Sequence, residues 1–342
     1  MHYKYLILYL CLLGNALLAS EPKKASQLTK DNTILAFDLD DTLIQYSPWH
    51  QAKIGWNVGP RNIPLLLKLK KLRKKDKTIN FGRSHFQDKQ GNAVPGGASL
   101  QMAAIASQNP NLQPIIPTIL KTTWENTRFK PGAQTLLNYL KTDDNKNYPI
   151  WYATNKDRTS YNSVTKALDE NYPKPIQFGY IPDKIFVVQP SKVYLQQNLE
   201  EPKSADSKEL QEYKALIESI RDSKKSSTII HSKESKPNAA YYKKMVAEAD
   251  GKKVIFFDDY EENAKQAGET TNNDIMGVHV KSIADIVNAL EKLGILNRST
   301  DAPLFHKLKR DGVFGYTQRF MSYLPRWSST PAPAPRSPLS VQ

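Results

Sequence analysis

The chain has a single cysteine, Cys11, in 342 residues. It lies in an apolar stretch, Tyr5 to Ala19, preceded by His2 and Lys4. At roughly 15 residues the stretch is short for a membrane span of about 20 and suits a signal-peptide core. Gly14 and Asn15 weaken it further as a membrane helix, and Ser20-Glu21-Pro22-Lys23-Lys24 follows. Cleavage near Ala19 or Ser20 is the expectation, with residues 1–20 a leader and the mature chain exported: periplasmic or secreted if bacterial. An uncleaved anchor and a buried N-terminal helix are the other readings. The mature chain would hold no cysteine, which excludes disulfides, cysteine-ligated zinc and a cysteine nucleophile. Export stays open, because a chain this long can build its own core. No second stretch is apolar enough to span a membrane, so no mature span is expected. Zinc-finger spacing, an RNA-recognition aromatic signature and a basic-zipper heptad run are absent too.

The charge is far from balanced, at +14. Part of it is local, in Lys68, Lys70, Lys71, Arg73, Lys74, Lys75 and Lys77. Basic excess draws in phosphorylated substrates, nucleic acid or anionic surfaces. The plainer reading of this cluster is a solvated helix face. Without a nucleic-acid signature, a nucleic-acid partner is not expected, and no oligomeric state follows.

The most informative stretch is Ile34-Leu35-Ala36-Phe37-Asp38-Leu39-Asp40-Asp41-Thr42-Leu43. An apolar run that ends abruptly in carboxylates fits a parallel strand covered on both faces. Ligands of open α/β sheets bind at the carboxyl ends of strands. Asp38 and Asp40, two residues apart, point to one side of the chain there. Two such carboxylates repel each other, and a hard cation such as Mg²⁺ relieves that with oxygen ligands.

Three later stretches share the pattern of a motif at an element's end. Pro149-Ile150-Trp151-Tyr152-Ala153-Thr154-Asn155 is a short apolar strand ending in a hydroxyl. Ser235-Lys236-Pro237-Asn238 precedes a helix running to about Ala249, with Lys233 close by. Val254-Ile255-Phe256-Phe257-Asp258-Asp259 again runs from apolar residues into carboxylates, followed by Tyr260-Glu261-Glu262-Asn263. Each alone has an ordinary reading: an Asp-rich turn, a helix N-cap, a surface lysine, an acidic helix start.

In this order the four stretches resemble motifs I to IV of the haloacid dehalogenase (HAD) superfamily, Asp38-x-Asp40-x-Thr42 matching DxDx[TV]. Phe37-Asp38-Leu39-Asp40-Asp41-Thr42 with Ser47-Pro48 also resembles secreted acid phosphatases, and exported bacterial HAD-like proteins of unassigned function are equally close. The resemblance spans roughly Asn32 to Leu296 without two insertions. It implies an α/β fold, a HAD-like Rossmannoid parallel sheet flanked by helices, with a mainly helical C1-type cap inserted after the first strand. The core would be 32–44 with 128–296 and the cap 45–127. A polar, less ordered insertion, with a surface helix near Leu210 to Ile220, would occupy 189–227. A basic, Pro-rich tail with a disordered end would fill 297–342.

The resemblance further implies a Mg²⁺-dependent phosphatase acting on a small phosphorylated substrate. Asp38 would be the nucleophile and Asp40 the acid and base. Thr154 and Lys236 would bind the phosphoryl group, with Thr42 and Asn155 beside them; Lys233 is the alternative to Lys236. Asp38, Asp259, Asp258 and the backbone carbonyl of Asp40 would hold the metal, with the division between Asp258 and Asp259 open. HAD members with carbon–halogen chemistry usually lack an Asp at the Asp40 position, and so do P-type ATPases. The cap would close as a lid, with Tyr46, Trp49, His50, Trp56 and Arg61 as candidate lining. The rival class is an exported binding module with little or no turnover, suggested by the basic cap, the polar insertion and the tail.

Overall fold

The computed structural model describes residues 28–74, 94–144, 146–171, 182–204, 206–222 and 227–314, with the backbone alone at 70–74 and 171. The expected leader with Cys11, Lys75 and Lys77 of the basic cluster, and the tail from 315 onward lie outside these residues.

Six short apolar runs make one parallel sheet. They are β1 (Thr33–Phe37), β4 (Ile150–Ala153), β5 (Lys184–Val188), β6 (Ile229–Ser232), β7 (Lys253–Asp258) and β8 (Ile275–His279). Their order is β6-β5-β4-β1-β7-β8. A two-stranded antiparallel ribbon, β2 (Ile44–Tyr46) with β3 (Thr127–Phe129), stands apart. The four inner strands, β5, β4, β1 and β7, read as continuous apolar runs because both faces are covered, while the edge strands β6 and β8 are half-buried. Leu35 and Phe37 enter one layer with Tyr152 and Phe257. Ile34 and Ala36, pointing the other way, enter a second with Trp151 and Phe256. Helices α5 (Ala133–Thr142), α6 (Arg158–Asn171) and α11 (Ile283–Lys292) cover the first layer. Helices α9 (Ala239–Glu248) and α10 (Glu261–Glu269) cover the second.

Register is what builds the site. Phe37 lies opposite Tyr152 on one side and Phe257 on the other. The rings of Phe37 and Phe257 stack with centroids 5.0 Å apart. The carboxyl ends of β1, β4 and β7 therefore reach one rim, carrying Asp38, Thr154 and Asp258.

Between β2 and β3 the chain forms the expected helical cap: α1 (His50–Val58), α2 (Ile63–Lys74), α3 (Ala98–Gln108) and α4 (Ile116–Glu125). Within the polar insertion at 189–227, the helix expected near Leu210 to Ile220 is present, and the described residues are more ordered than expected. They form α7 (Lys192–Asn198) and α8 (Lys208–Arg221), which complete the cap's own core. Tyr213, Leu216, Ile217 and Ile220 sit on one face of α8 and are buried there. The charged residues between them hide that stripe in the composition.

The cap is also tied to the core. Buried Ser99 of α3 donates to Asp157 at the foot of α6, and Ser160 donates to the same carboxylate. Thr159 meets Ser219 of α8 at 2.8 Å, and Gln189 donates to the carbonyl of Ile220 at 3.0 Å. A Cβ on Gly97 would sit 2.9 Å from the Cα of Lys156, so only glycine allows this approach. This fastening differs from a lid joined to the core by a hinge alone.

The core also runs past Leu296, where the tail was expected to begin. Helix α12 (Ala302–Arg310) buries Leu304 and Leu308 in the first layer. Asp301, just before it, accepts from Tyr139 at 2.7 Å and pairs with Lys146 at 3.2 Å. The basic residues of this short helix, Lys307, Lys309 and Arg310, mask two buried leucines one turn apart.

Candidate active site

β1 delivers Asp38 into the rim almost wholly buried, at 6% exposure. Asp41 then adopts a left-handed backbone, φ 55°, and the chain doubles back so that Leu43 and Ile44 both donate to the carbonyl of Leu39. This turn sets Thr42 against the end of β7. Its hydroxyl accepts from the backbone N–H of Asp259 at 3.0 Å and donates to the Asp259 carboxylate at 3.3 Å. Thr42, expected at the phosphate, is thus a tie between two acidic loops.

Lys236 enters from the loop after β6 and is buried. Its ammonium lies 2.6 Å from Asp38 Oδ1 and 2.7 Å from Asp258 Oδ2. Asn155 accepts from the backbone N–H of Lys236 at 2.8 Å and donates back to its carbonyl at 3.4 Å. Asn155, expected on the phosphate, so places the lysine. Lys233 is exposed on the same loop. Asp258 spends its other oxygen on the N–H of Tyr260 at 2.9 Å and the amide of Asn263 at 3.0 Å. Asp259 makes fewer contacts and is half-buried. Thr154 is fully buried, with its hydroxyl accepting from the N–H of Lys156 at 3.1 Å.

Asp38, Asp258 and Asp259 each offer an oxygen within 4.8 Å of the others. Three carboxylates beside one ammonium leave a formal charge of −2 in a largely dry place. Burial pushes Asp38 well above the usual carboxylate range, against the pull of Lys236. Burial, followed by the charge of Asp258, pushes Asp259 up to about 6. An all-oxygen donor set with two surplus negative charges fits a hard divalent cation such as Mg²⁺. Asp40 was expected to offer the metal its backbone carbonyl, and its carboxylate lies outside the cluster, held aside by a lysine and a tyrosine.

That lysine is Lys156, which sequence reasoning missed. Its ammonium is 2.7 Å from each oxygen of Asp40. Tyr46 donates to Asp40 Oδ1 at 2.9 Å. Burial lowers the pKa of Lys156, but Asp40 reverses the balance and the net direction is upward. Tyr46 is pushed up by burial and then by Asp40. One more lysine in a lysine-rich chain carried no signal; its place two residues past a strand-end threonine was the available clue. Lys130 was missed as well: it donates to the backbone carbonyls of Asp41 and Lys281 at the edge of the site. Of the candidate cap lining, Tyr46 reaches the site and His50 packs against its ring at 5.5 Å. Trp49, Trp56 and Arg61 are exposed instead.

No family model matches the chain, and no curated protein matches it. Among solved structures it is similar to a HAD family enzyme from Bacteroides thetaiotaomicron, an aspartate-to-alanine mutant in complex with magnesium and inorganic phosphate. The identity is 15%, over 69% of this chain and 89% of that one, with a TM-score of 0.37. A second structure of that enzyme gives 15% identity, 70% and 89% coverage and a TM-score of 0.38. By its own strand order, and by the single rim to which it brings Asp38, Thr154, Lys236 and Asp258-Asp259, the chain has a haloacid-dehalogenase-like fold.

Proposed function

We propose that the protein is a Mg²⁺-dependent phosphate monoester hydrolase working through an aspartyl phosphate on Asp38. The observation that carries this is the cluster of Asp38, Asp258 and Asp259 around the buried ammonium of Lys236. A carboxylate nucleophile and a phosphate are both anionic, and they meet only where positive charge is supplied. Lys236 supplies one such charge, fixed by its bonds to Asp38 and Asp258.

Asp259, with fewer contacts than Asp258, is the principal side-chain ligand beside Asp38; Asp258 chiefly holds Lys236 and the start of α10. The backbone carbonyl of Asp40 completes the protein's share. Mg²⁺, when bound, offsets phosphate charge and orients the ester.

A carboxylate oxygen of Asp38 attacks phosphorus, and the bond from phosphorus to the ester oxygen breaks. Asp40, in its protonated form, gives its proton to the departing oxygen and is left as the carboxylate. Asp40 then takes a proton from water, the water oxygen attacks phosphorus, and the bond to Asp38 breaks to release inorganic phosphate. Thr154 and Lys236 hold phosphoryl oxygens through both steps.

The test is a panel of phosphate monoesters with Mg²⁺ and with chelator, beside Asp38→Asn. Metal-dependent phosphate release that vanishes in the variant supports the reading. No release from any ester by folded, Mg²⁺-binding protein counts against it.

Export is part of the same proposal, resting on the apolar stretch Tyr5 to Ala19. Residues 1–20 fused to a reporter enzyme should direct it out of the cytoplasm with loss of the leader; a retained, uncleaved fusion contradicts export.

A further inference from the structure

Lys156 is built in from several directions. Its carbonyl accepts from Val188 at 2.9 Å and its N–H donates to Thr154. Gly97 of the cap packs on its Cα. The next residue, Asp157, is buried and held by Ser99 and Ser160. From this fixed base the side chain reaches, among the described residues, a single carboxylate, that of Asp40, with the Tyr46 hydroxyl at 3.4 Å. The two partners are unequally placed: the Lys156 side chain is 7% exposed and that of Asp40 38%. Burying an ammonium costs several kcal/mol of hydration. A carboxylate this exposed can be solvated by water without it. The attraction of Asp40 offsets that cost, and the pair fixes a carboxylate that water alone could have solvated.

We propose that Lys156, assisted by Tyr46, is a positioning residue that fixes the Asp40 carboxylate for proton transfer to the leaving group. The inference rests on the phosphatase reading above. Asp40 Oδ1 accepts from both Tyr46 and Lys156, and Oδ2 from Lys156. The carboxylate is thereby held between the core, through Lys156, and the stem of the cap, through Tyr46. Neither donor belongs to the Asp38, Asp258 and Asp259 cluster, so removing one leaves those ligands in place.

Proton transfer matters for an alkyl phosphate, whose alkoxide departs poorly, and little for a nitrophenyl phosphate, whose phenolate departs unaided. The test compares kcat/KM on the two esters, because that ratio reports the step in which the leaving group departs. Lys156→Met keeps the length of the chain and removes the charge. We expect a loss of about tenfold to a hundredfold on the alkyl ester and less than about twofold on the nitrophenyl ester. In an Asp40→Asn background, Lys156→Met should cost nothing further on either ester. An equal loss on both esters, or no loss on either, overturns the inference and leaves the phosphatase reading standing. A wild-type protein that turns over neither ester overturns both. Should Lys156→Met fail to fold, Tyr46→Phe, which removes one oxygen, is read the same way. Its expected loss is about threefold to tenfold on the alkyl ester alone, and no selective loss there overturns the inference.

Discussion

Lys236 and Asp38, 198 residues apart in the chain, meet at 2.6 Å with side chains 1% and 8% exposed. Asp258 stands on the other side of the same ammonium at 2.7 Å. One lysine thus holds the carboxyl ends of β1 and β7 together.

Removing that lysine strands two buried carboxylates. Lys236→Met should lower stability by about 3–5 kcal/mol in chelator, as read by urea unfolding near neutral pH. Saturating Mg²⁺ should restore part of the loss, because a cation bound only by the folded chain stabilises it. A loss under about 1 kcal/mol would mean that water reaches both carboxylates.

The Asp259 carboxyl gives the site a pH dependence. Burial, then Asp258, pushes it up to about 6 from an ordinary 3.8. The folded chain without metal therefore holds a proton there that the unfolded chain has released. This group's contribution to stability falls as pH rises from about 4 through about 6. Mg²⁺ competes with that proton. Its affinity should weaken as pH falls below about 6, and the rise in Tm on adding Mg²⁺ should grow from about pH 5 to about pH 7. A Tm increment unchanged across that interval would remove Asp259 from the ligand set.

Asp157 fastens the cap to the core, so its loss should be felt in the cap. Asp157→Ala leaves Ser99 and Ser160 without their buried acceptor and should cost about 1–3 kcal/mol. Amide hydrogens of residues 98–108 should exchange faster than those of β1 and β7 relative to wild type. Uniform acceleration across the molecule would show that the bond serves global stability alone.

Much of the core was legible because its strands are short apolar runs that end in chemistry. Asp38, Thr154 and Asp258 each follow such a run, and the parallel register carries that sequence pattern directly into space. Lys156 and Asn155 were harder. Their roles depend on which loop faces which, and neither hydrophobic period nor residue type encodes that. In the insertion at 189–227 the helix near Leu210 to Ile220 was legible, but its burial in the cap's core was not. Its charged exterior outweighed the stripe of Tyr213, Leu216, Ile217 and Ile220 in composition, and only the cap's core shows where that stripe goes. Leu304 and Leu308 were overlooked in the same way, among the lysines of α12.

Gly277 offers a test of the sheet's edge. A Cβ there would run into the carbonyl group of Ala264 in α10, which no side-chain rotation can relieve. Gly277→Ala should cost about 3 kcal/mol through displacement of α10 from β8. A change within about 0.5 kcal/mol would mean that the helix lies farther out than described.

The central claim is that phosphorus passes through Asp38. The direct measurement is acid quenching during turnover of a phosphate monoester with Mg²⁺, followed by peptide mapping. The account predicts an acid-stable, hydroxylamine-labile phosphate on Asp38, absent from Asp38→Asn. Turnover with no phosphate on any peptide, or with turnover kept in Asp38→Asn, would contradict it.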